Sequence, residues 1–144
     1  MIKISYPPYQ PKIKRLNSKE LIFDELRKKW VQLTPEEWVR QNFLQYLVQV
    51  KQYPPSLIAI EKEIWLNDVK KRFDIVVYKN DVPWMVVECK EMEVVLDSKV
   101  LDQALRYNMV LQVGVIVITN GSYCYGVDVA NGSSVVLDDL PSFN

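Results

Sequence analysis

The sequence predicts an α/β sandwich built around a mixed sheet. Three observations predict it: a helix start written out at residues 34–37, a group of strand-like runs between residues 57 and 90, and a helical stretch separating the last of those runs from a fully apolar one at residues 113–119. Helix, three strands, helix, strand is an order in which helices cover one sheet.

The elements follow in chain order. SYPPYQP, residues 5–11, is proline-rich and reads as an extended arm. Residues 20–30, ELIFDELRKKW, read as a short strand or turn running into a helical turn. Residues 1–33 are thus expected to form an N-terminal arm ahead of one domain spanning residues 34–144. That domain opens with Thr34 as N-cap, Pro35 at the first helical position and Glu37 closing a capping box. Trp38, Phe43, Leu44, Leu47 and Val48 recur near helical spacing, and Pro54-Pro55 ends the run.

The period then changes. Residues 57–66 (LIAIEKEIWL), 73–78 (FDIVVY) and 84–90 (WMVVECK) are dominated by β-branched and aromatic residues, with the turn residues Lys79-Asn80-Asp81 between the last two. Residues 97–111 return to helical spacing, with Val100, Leu101, Ala104, Leu105 and Leu111 toward a core. VGVIVIT, residues 113–119, is the pattern of a strand buried on both faces, and the preceding helix is its crossover. Asn120-Gly121 turns the chain, and residues 122–129 and 134–137 are expected to add a C-terminal hairpin.

Composition narrows the chemistry. The 144 residues fit one domain, 49% of them hydrophobic and 25% charged. No stretch approaches the roughly 20 apolar residues of a membrane span, and the N-terminus lacks the apolar run of a signal peptide, so a cytoplasmic location is expected. Cys89 and Cys124 are too few for a structural zinc site and are expected to be half-buried thiols. The absence of histidine excludes Ser-His-Asp and Cys-His triads and histidine-ligated metals within this chain. Carboxylates, lysines, hydroxyls and hard cations remain.

Charge is balanced overall but divided. Residues 1–72 carry 14 Lys and Arg against 8 Asp and Glu, and residues 73–144 carry 4 against 10. Basic clusters stand at Lys12-Ile13-Lys14-Arg15, Arg27-Lys28-Lys29 and Lys70-Lys71-Arg72. Each suits phosphate contacts, or a solvated helix end or strand edge.

The informative strand is residues 84–90. Met85, Val86 and Val87 are apolar on both faces, which makes it central, and period two puts Glu88 and Lys90 on one face. If the preceding hairpin turns about Asp81, Asp74 lies directly across from Glu88, with Cβ atoms about 5 Å apart. Like charges so close repel unless a cation or a shared proton sits between them, and Mg²⁺ is the natural candidate. A salt-bridged trio that merely closes the sheet end is the other reading. Gln103 and Tyr107, four apart, share a helical face that Lys99 extends, either as a solvated stripe or as a phosphate-contacting one.

Taken together, Asp74-Ile75-Val76-Val77-Tyr78, Val86-Val87-Glu88-Cys89-Lys90, Gln103-Ala104-Leu105-Arg106-Tyr107-Asn108 and Val117-Ile118-Thr119-Asn120-Gly121 resemble the N-terminal nuclease domain of type I restriction enzyme R subunits. Thr34-Pro35-Glu36-Glu37-Trp38-Val39-Arg40-Gln41 resembles its start. The resemblance implies a three-layer, restriction-endonuclease-like α/β/α sandwich of the PD-(D/E)xK type. It implies that Asp74, Glu88 and the Cys89 carbonyl hold Mg²⁺, with Mn²⁺ as a substitute, and that Lys90 orients or helps deprotonate the attacking water. Gln103 and Tyr107 match an auxiliary Gln-x-x-x-Tyr motif, and Glu37 matches an extra acidic residue on the first helix, with Arg40 one turn on. DNA is the implied substrate. Phe73 stands where the family name has proline, and no GxxxxGK[ST] phosphate loop is present, so the resemblance implies a module without the helicase motor. Such a module would pair with itself or join helicase or specificity subunits. The alternative is an inactive DNA-binding or subunit-docking module.

Overall fold

The computed structural model describes residues 1–66, 68–108, 113–130 and 133–144. Among the described residues, ten strands and two α-helices follow one another as β1 (Ile2–Lys3), β2 (Ile13–Leu16), β3 (Lys19–Asp24), β4 (Lys29–Gln32), α1 (Pro35–Gln45), β5 (Ile58–Leu66), β6 (Val69–Lys79), β7 (Val82–Cys89), α2 (Ser98–Asn108), β8 (Val115–Thr119), β9 (Tyr123–Asp128) and β10 (Val135–Val136).

The main sheet runs β1-β9-β8-β7-β6-β5, with β10 also on β9. Every pair is antiparallel except β7 with β8. The sheet is therefore mixed, and α2 supplies the connection that the parallel pair requires. Alternate residues of β7 divide two cores. Met85, Val87 and Cys89 pack with Val39, Phe43, Leu44 and Leu47 of the first helical region, and Val86 packs with Ala104 of α2, Ile116 and Ile118. α1 and α2 thus lie on opposite faces. The apolar run at residues 115–119 is buried at every position, as a strand covered on both sides must be.

Thr34 caps α1 as its sequence predicts, with extended backbone and Oγ1 accepting from Glu37 N at 3.0 Å. The second half of the box differs, because the Glu37 carboxylate accepts from Arg40 and Gln41. The helix continues as a π-helical turn, Tyr46–Val50, before the prolines. The appended hairpin is present as β9–β10.

Residues 1–33 hold more structure than the arm, short strand or turn and helical turn read from the sequence. Ile2–Lys3 join the main sheet beside β9, and β2-β3-β4 form a separate three-stranded sheet. The stretch around Arg27-Lys28-Lys29 is a turn between strands rather than a helical turn. Lys28 takes the left-handed conformation (φ 58), which no helix interior accepts. Leu111, read as a core residue, lies outside the described residues.

The β6–β7 hairpin positions the site. Its turn is the two-residue Asn80-Asp81, both with positive φ (55 and 64), as a type I′ turn requires. That centre sits half a residue from the one assumed from sequence and alone would misalign Asp74 and Glu88. A bulge between Val77 and Tyr78 corrects it: Tyr78 pairs with Pro83 and Val77 with Met85, leaving Trp84 as the extra residue. From there Ile75 pairs with Val87, the last pair of the ladder, next to Asp74 on one strand and Glu88 on the other.

Candidate active site

Glu88 and Lys90 share the α2 face with Val86, as period two demands. Together with Lys71, Val100, Gln103, Ala104 and Ile118 they line a small cavity of about 210 Å³. Glu88 Oε1 is buried with no hydrogen-bond partner among the described residues, and Lys71 Nζ stands 3.6 Å from it. Burial, then the Asp74 charge, pushes the Glu88 carboxyl above its ordinary value of 4.5, against the pull of Lys71 and Lys90. A desolvated carboxylate beside another carboxylate is costly to keep ionised.

Asp74 stands where the β6–β7 ladder ends. Cys89 N–H, which a β6 carbonyl would otherwise receive, donates to Asp74 Oδ2 at 2.8 Å. Asp74 Oδ1 accepts from Arg40 at 3.1 Å. The carboxylate is thus held between the strand end and α1, close enough to raise the Glu88 pKa. The faces of the strands exchange here: Ile75 belongs to the α1-side core and Phe73 to the α2-side core, two residues apart. On β5, Glu61 sits at the same level with left-handed backbone (φ 53), between Ile60, packed on the α1 side, and Ile64, packed on the α2 side.

The other expected residues divide between the two sides. Gln103 joins Glu88 and Lys90 at the cavity. Tyr107 falls within α2, but its side chain lies outside the described residues, and Lys99 is exposed. Glu37 is 5% exposed and packs against Arg40 rather than with Glu88. Arg40 bonds Glu37 Oε1 at 2.8 Å, Glu61 Oε1 at 3.0 Å and Asp74 Oδ1 at 3.1 Å. Arg27 reaches Glu37, Glu61 and the fully buried Asp24. The network therefore runs from β3 to the catalytic candidate Asp74. Sequence reasoning missed Lys71, Glu61, Asp24 and Arg27 as members of the site and its support. Lys71 and Arg27 sat inside basic clusters that gave no sign of pairing inward. Among the described residues no group of three or more His, Cys, Asp and Glu converges as a ready metal cage. Both cysteines are buried free thiols, not half-buried ones. Burial holds Cys124 at about 12 and Cys89 well above its ordinary value, so neither serves as a thiolate nucleophile.

The donor chemistry suits a hard divalent cation nonetheless. Glu88 Oε1 accepts no hydrogen bond, with Lys71 Nζ at 3.6 Å, and a carboxylate offers about four lone-pair sites, so Asp74 retains acceptor capacity beyond its two hydrogen bonds. Mg²⁺ needs only one or two carboxylates besides water and phosphate.

Glu88 also yields a stability prediction. Its folded pKa is raised, so the protonated form fits the fold best, and the cost of ionisation accumulates as pH rises through 4.5 toward the folded value. Glu88→Gln should therefore melt with wild type near pH 4 and above it near neutrality, by ~0.5–2 kcal/mol, as substitutions relieving a functional site do. Melting curves of both proteins across that range check this. A lower melting temperature for the variant at neutral pH would favour a purely structural salt bridge.

The fold and site define a mixed-sheet α/β domain with two carboxylates and a lysine where the ladder between two neighbouring central strands ends. The sequence model of the family described as the type I restriction enzyme R protein N terminus matches residues 35–141, and the chain belongs to that family. This ties it to restriction systems. No curated protein and no solved structure matches it. No helix among the described residues is long and apolar enough to cross a membrane.

Proposed function

We propose that the chain is a Mg²⁺-dependent nuclease domain that hydrolyses DNA phosphodiester bonds, with the three-layer PD-(D/E)xK architecture. The observation that carries this reading is the buried Glu88 Oε1, which accepts no hydrogen bond and has Lys71 Nζ 3.6 Å away, in one cavity with Lys90. A purely structural salt bridge would close to hydrogen-bond distance, whereas a metal ligand keeps lone pairs for its ion.

Asp74, Glu88 and the Cys89 carbonyl would hold the ion. Bound there, Mg²⁺ would polarise the phosphodiester and acidify a coordinated water. Lys90 lies beside Glu88, where its ammonium would orient the attacking water and offset charge on the phosphoryl oxygens as the bond to the leaving oxygen breaks. Gln103, at the rim of the same cavity, would hydrogen-bond the substrate backbone or fix Lys90, and Tyr107 would support it. Arg40 would hold Asp74 in place through Oδ1. Glu37 would act through Arg40, as a positioning group one step removed from the ion. Cutting both strands would require a second copy or a partner subunit.

The test is cleavage. Purified chain with Mg²⁺ or Mn²⁺ should nick or cut plasmid and linear duplex, and chelation should stop it. Intact DNA at high protein concentration would rule out activity as a lone chain. One observation favours a second reading, an inactive docking module of a restriction complex: both oxygens of Asp74 already have hydrogen-bond donors, Arg40 and Cys89 N–H. Such a module need not bind Mn²⁺.

A further inference from the structure

We propose that the outer face of the β2-β3-β4 sheet binds single-stranded nucleic acid, apart from the contacts the catalytic strands would make. The sheet lies ahead of the family-matched region and has two unlike faces. Ile22 and Asp24, both 0% exposed, turn inward. Period two then sends Lys19, Leu21 and Phe23 outward. The register places Lys14 beside Leu21 and Trp30 beside Phe23 on that side, and Phe23 N bonds Lys12 O. The only acids in the three strands, Glu20 and Asp24, share the parity of Ile22, opposite the lysine-bearing face; Glu20 is exposed and pairs with Arg15 at 3.6 Å.

The outer face thus carries three exposed lysines, 12, 14 and 19, around an aromatic pair. Trp30 is 36% exposed, and its ring meets Phe23 edge to face at 5.3 Å. Lys14 Nζ lies 4.2 Å from the Trp30 ring centroid and Lys12 Nζ 5.6 Å from that of Phe23. Such exposed cation–π contacts are worth only ~0.5–1 kcal/mol, so the ammonium groups can leave the rings for phosphates at small cost. The freed rings would accept bases, and base–aromatic stacking is worth about 1–3 kcal/mol per base. Among the described residues Lys12, Lys14 and Lys19 have no ion pair, and positive charge around aromatic rings on an open sheet complements a polyanion with unstacked bases. Duplex bases, stacked on one another, could not reach the rings. A groove lined by Arg15, Lys19, Glu20 and Gln32 of this sheet, Trp38 of α1 and Glu91–Glu93 leads from the sheet toward the residues just after Lys90.

The measurement is fluorescence anisotropy of a labelled oligothymidylate of about 20 nucleotides with EDTA present, so that binding is read without cleavage. Wild type should bind it more tightly than a duplex of equal length. Trp30→Ala should weaken binding about 5- to 150-fold, the stacking of one base. Replacing Lys12, Lys14 and Lys19 with Gln should weaken it and flatten the slope of log K against log salt by about 2, at ~0.7 per phosphate contact. Trp30→Phe should retain most of the affinity. Melting curves verify that the variants stay folded, and Trp30→Leu replaces the alanine variant if that one unfolds. No binding by wild type, equal affinity for duplex, or undiminished binding by the Trp30 or lysine variants would overturn the proposal. Since the assay uses no divalent ion, its failure leaves the nuclease reading standing, and loss of cleavage leaves this one standing.

Discussion

Alanine at Glu88 or at Lys90 is expected to lower DNA cleavage at least ~10³-fold while leaving the chain folded, because each removes a charged group whose interaction grows in the transition state. Asp74→Ala should do the same to cleavage. Its stability will differ, since Asp74 also satisfies Cys89 N–H and Arg40. The three losses should not add, because residues acting on one ion form one unit. Lys90→Arg is the informative conservative change. It keeps the charge and changes its shape, and a cavity of about 210 Å³ closed by Val100, Ala104 and Ile118 gives the planar fork little room. Quantified nicking of supercoiled plasmid checks all four. Normal cleavage by Glu88→Ala would remove Glu88 from the machinery.

The second large effect concerns stability. Arg40 faces Glu37, Glu61 and Asp74 with its side chain 9% exposed. Arg40→Ala would leave three carboxylates around the space of one lost cation, and breaking a partly or fully buried pair in this way costs about 3–5 kcal/mol. For a domain of this size that is a fall in melting temperature on the order of 10 °C. Arg27, 3.6 Å from Glu37 and 3.4 Å from Glu61, compensates in part and sets the loss toward the lower end. The loss should depend on pH. Burial alone would raise the Glu61 pKa, but Arg40 first and Arg27 next outweigh it and hold the group below 4.5. A depressed carboxylate contributes stability above its unfolded pKa and loses it as pH falls through the folded value. The gap between wild type and Arg40→Ala should therefore be widest above about pH 4.5 and narrow in more acid solution. Thermal denaturation at several pH values measures it, and a gap of constant size would show that the pairing with Glu61 contributes nothing.

Much of this architecture was legible from residues alone, for physical reasons that can be named. Thr34-Pro35-x-Glu37 fixes a helix start because the first N–H groups need an acceptor and proline lacks one to satisfy. The run at residues 115–119 announces a strand buried on both faces because nothing polar interrupts it. The β6–β7 register up to Ile75 opposite Val87 was also reached, though through two offsets that cancel. The turn lies half a residue from the assumed centre, and the bulge at Trp84 restores the register. Neither offset can be read from composition.

What stayed hidden depends on tertiary placement. The Arg27-Lys28-Lys29 stretch has good helical propensity, and only its pairing across β3 and β4, with Lys28 left-handed, makes it a turn. The exchange of faces at Glu61 and Asp74 breaks the period-two rule at the place where the site is built, so alternation could not reveal that Asp74 reaches toward α1. Lys71 looked like one member of a surface cluster, and its approach to Glu88 follows from the length of β6, an 11-residue strand rather than the six residues read from its apolar segment.

The most direct test of the central claim, that Asp74 and Glu88 share a divalent ion, is a Mn²⁺ titration followed by electron paramagnetic resonance. Wild type should bind Mn²⁺ saturably, with Mg²⁺ competing, and Asp74→Ala and Glu88→Ala should each lose that binding while remaining folded. Wild type that binds no Mn²⁺, or variants that bind it as wild type does, would contradict the account.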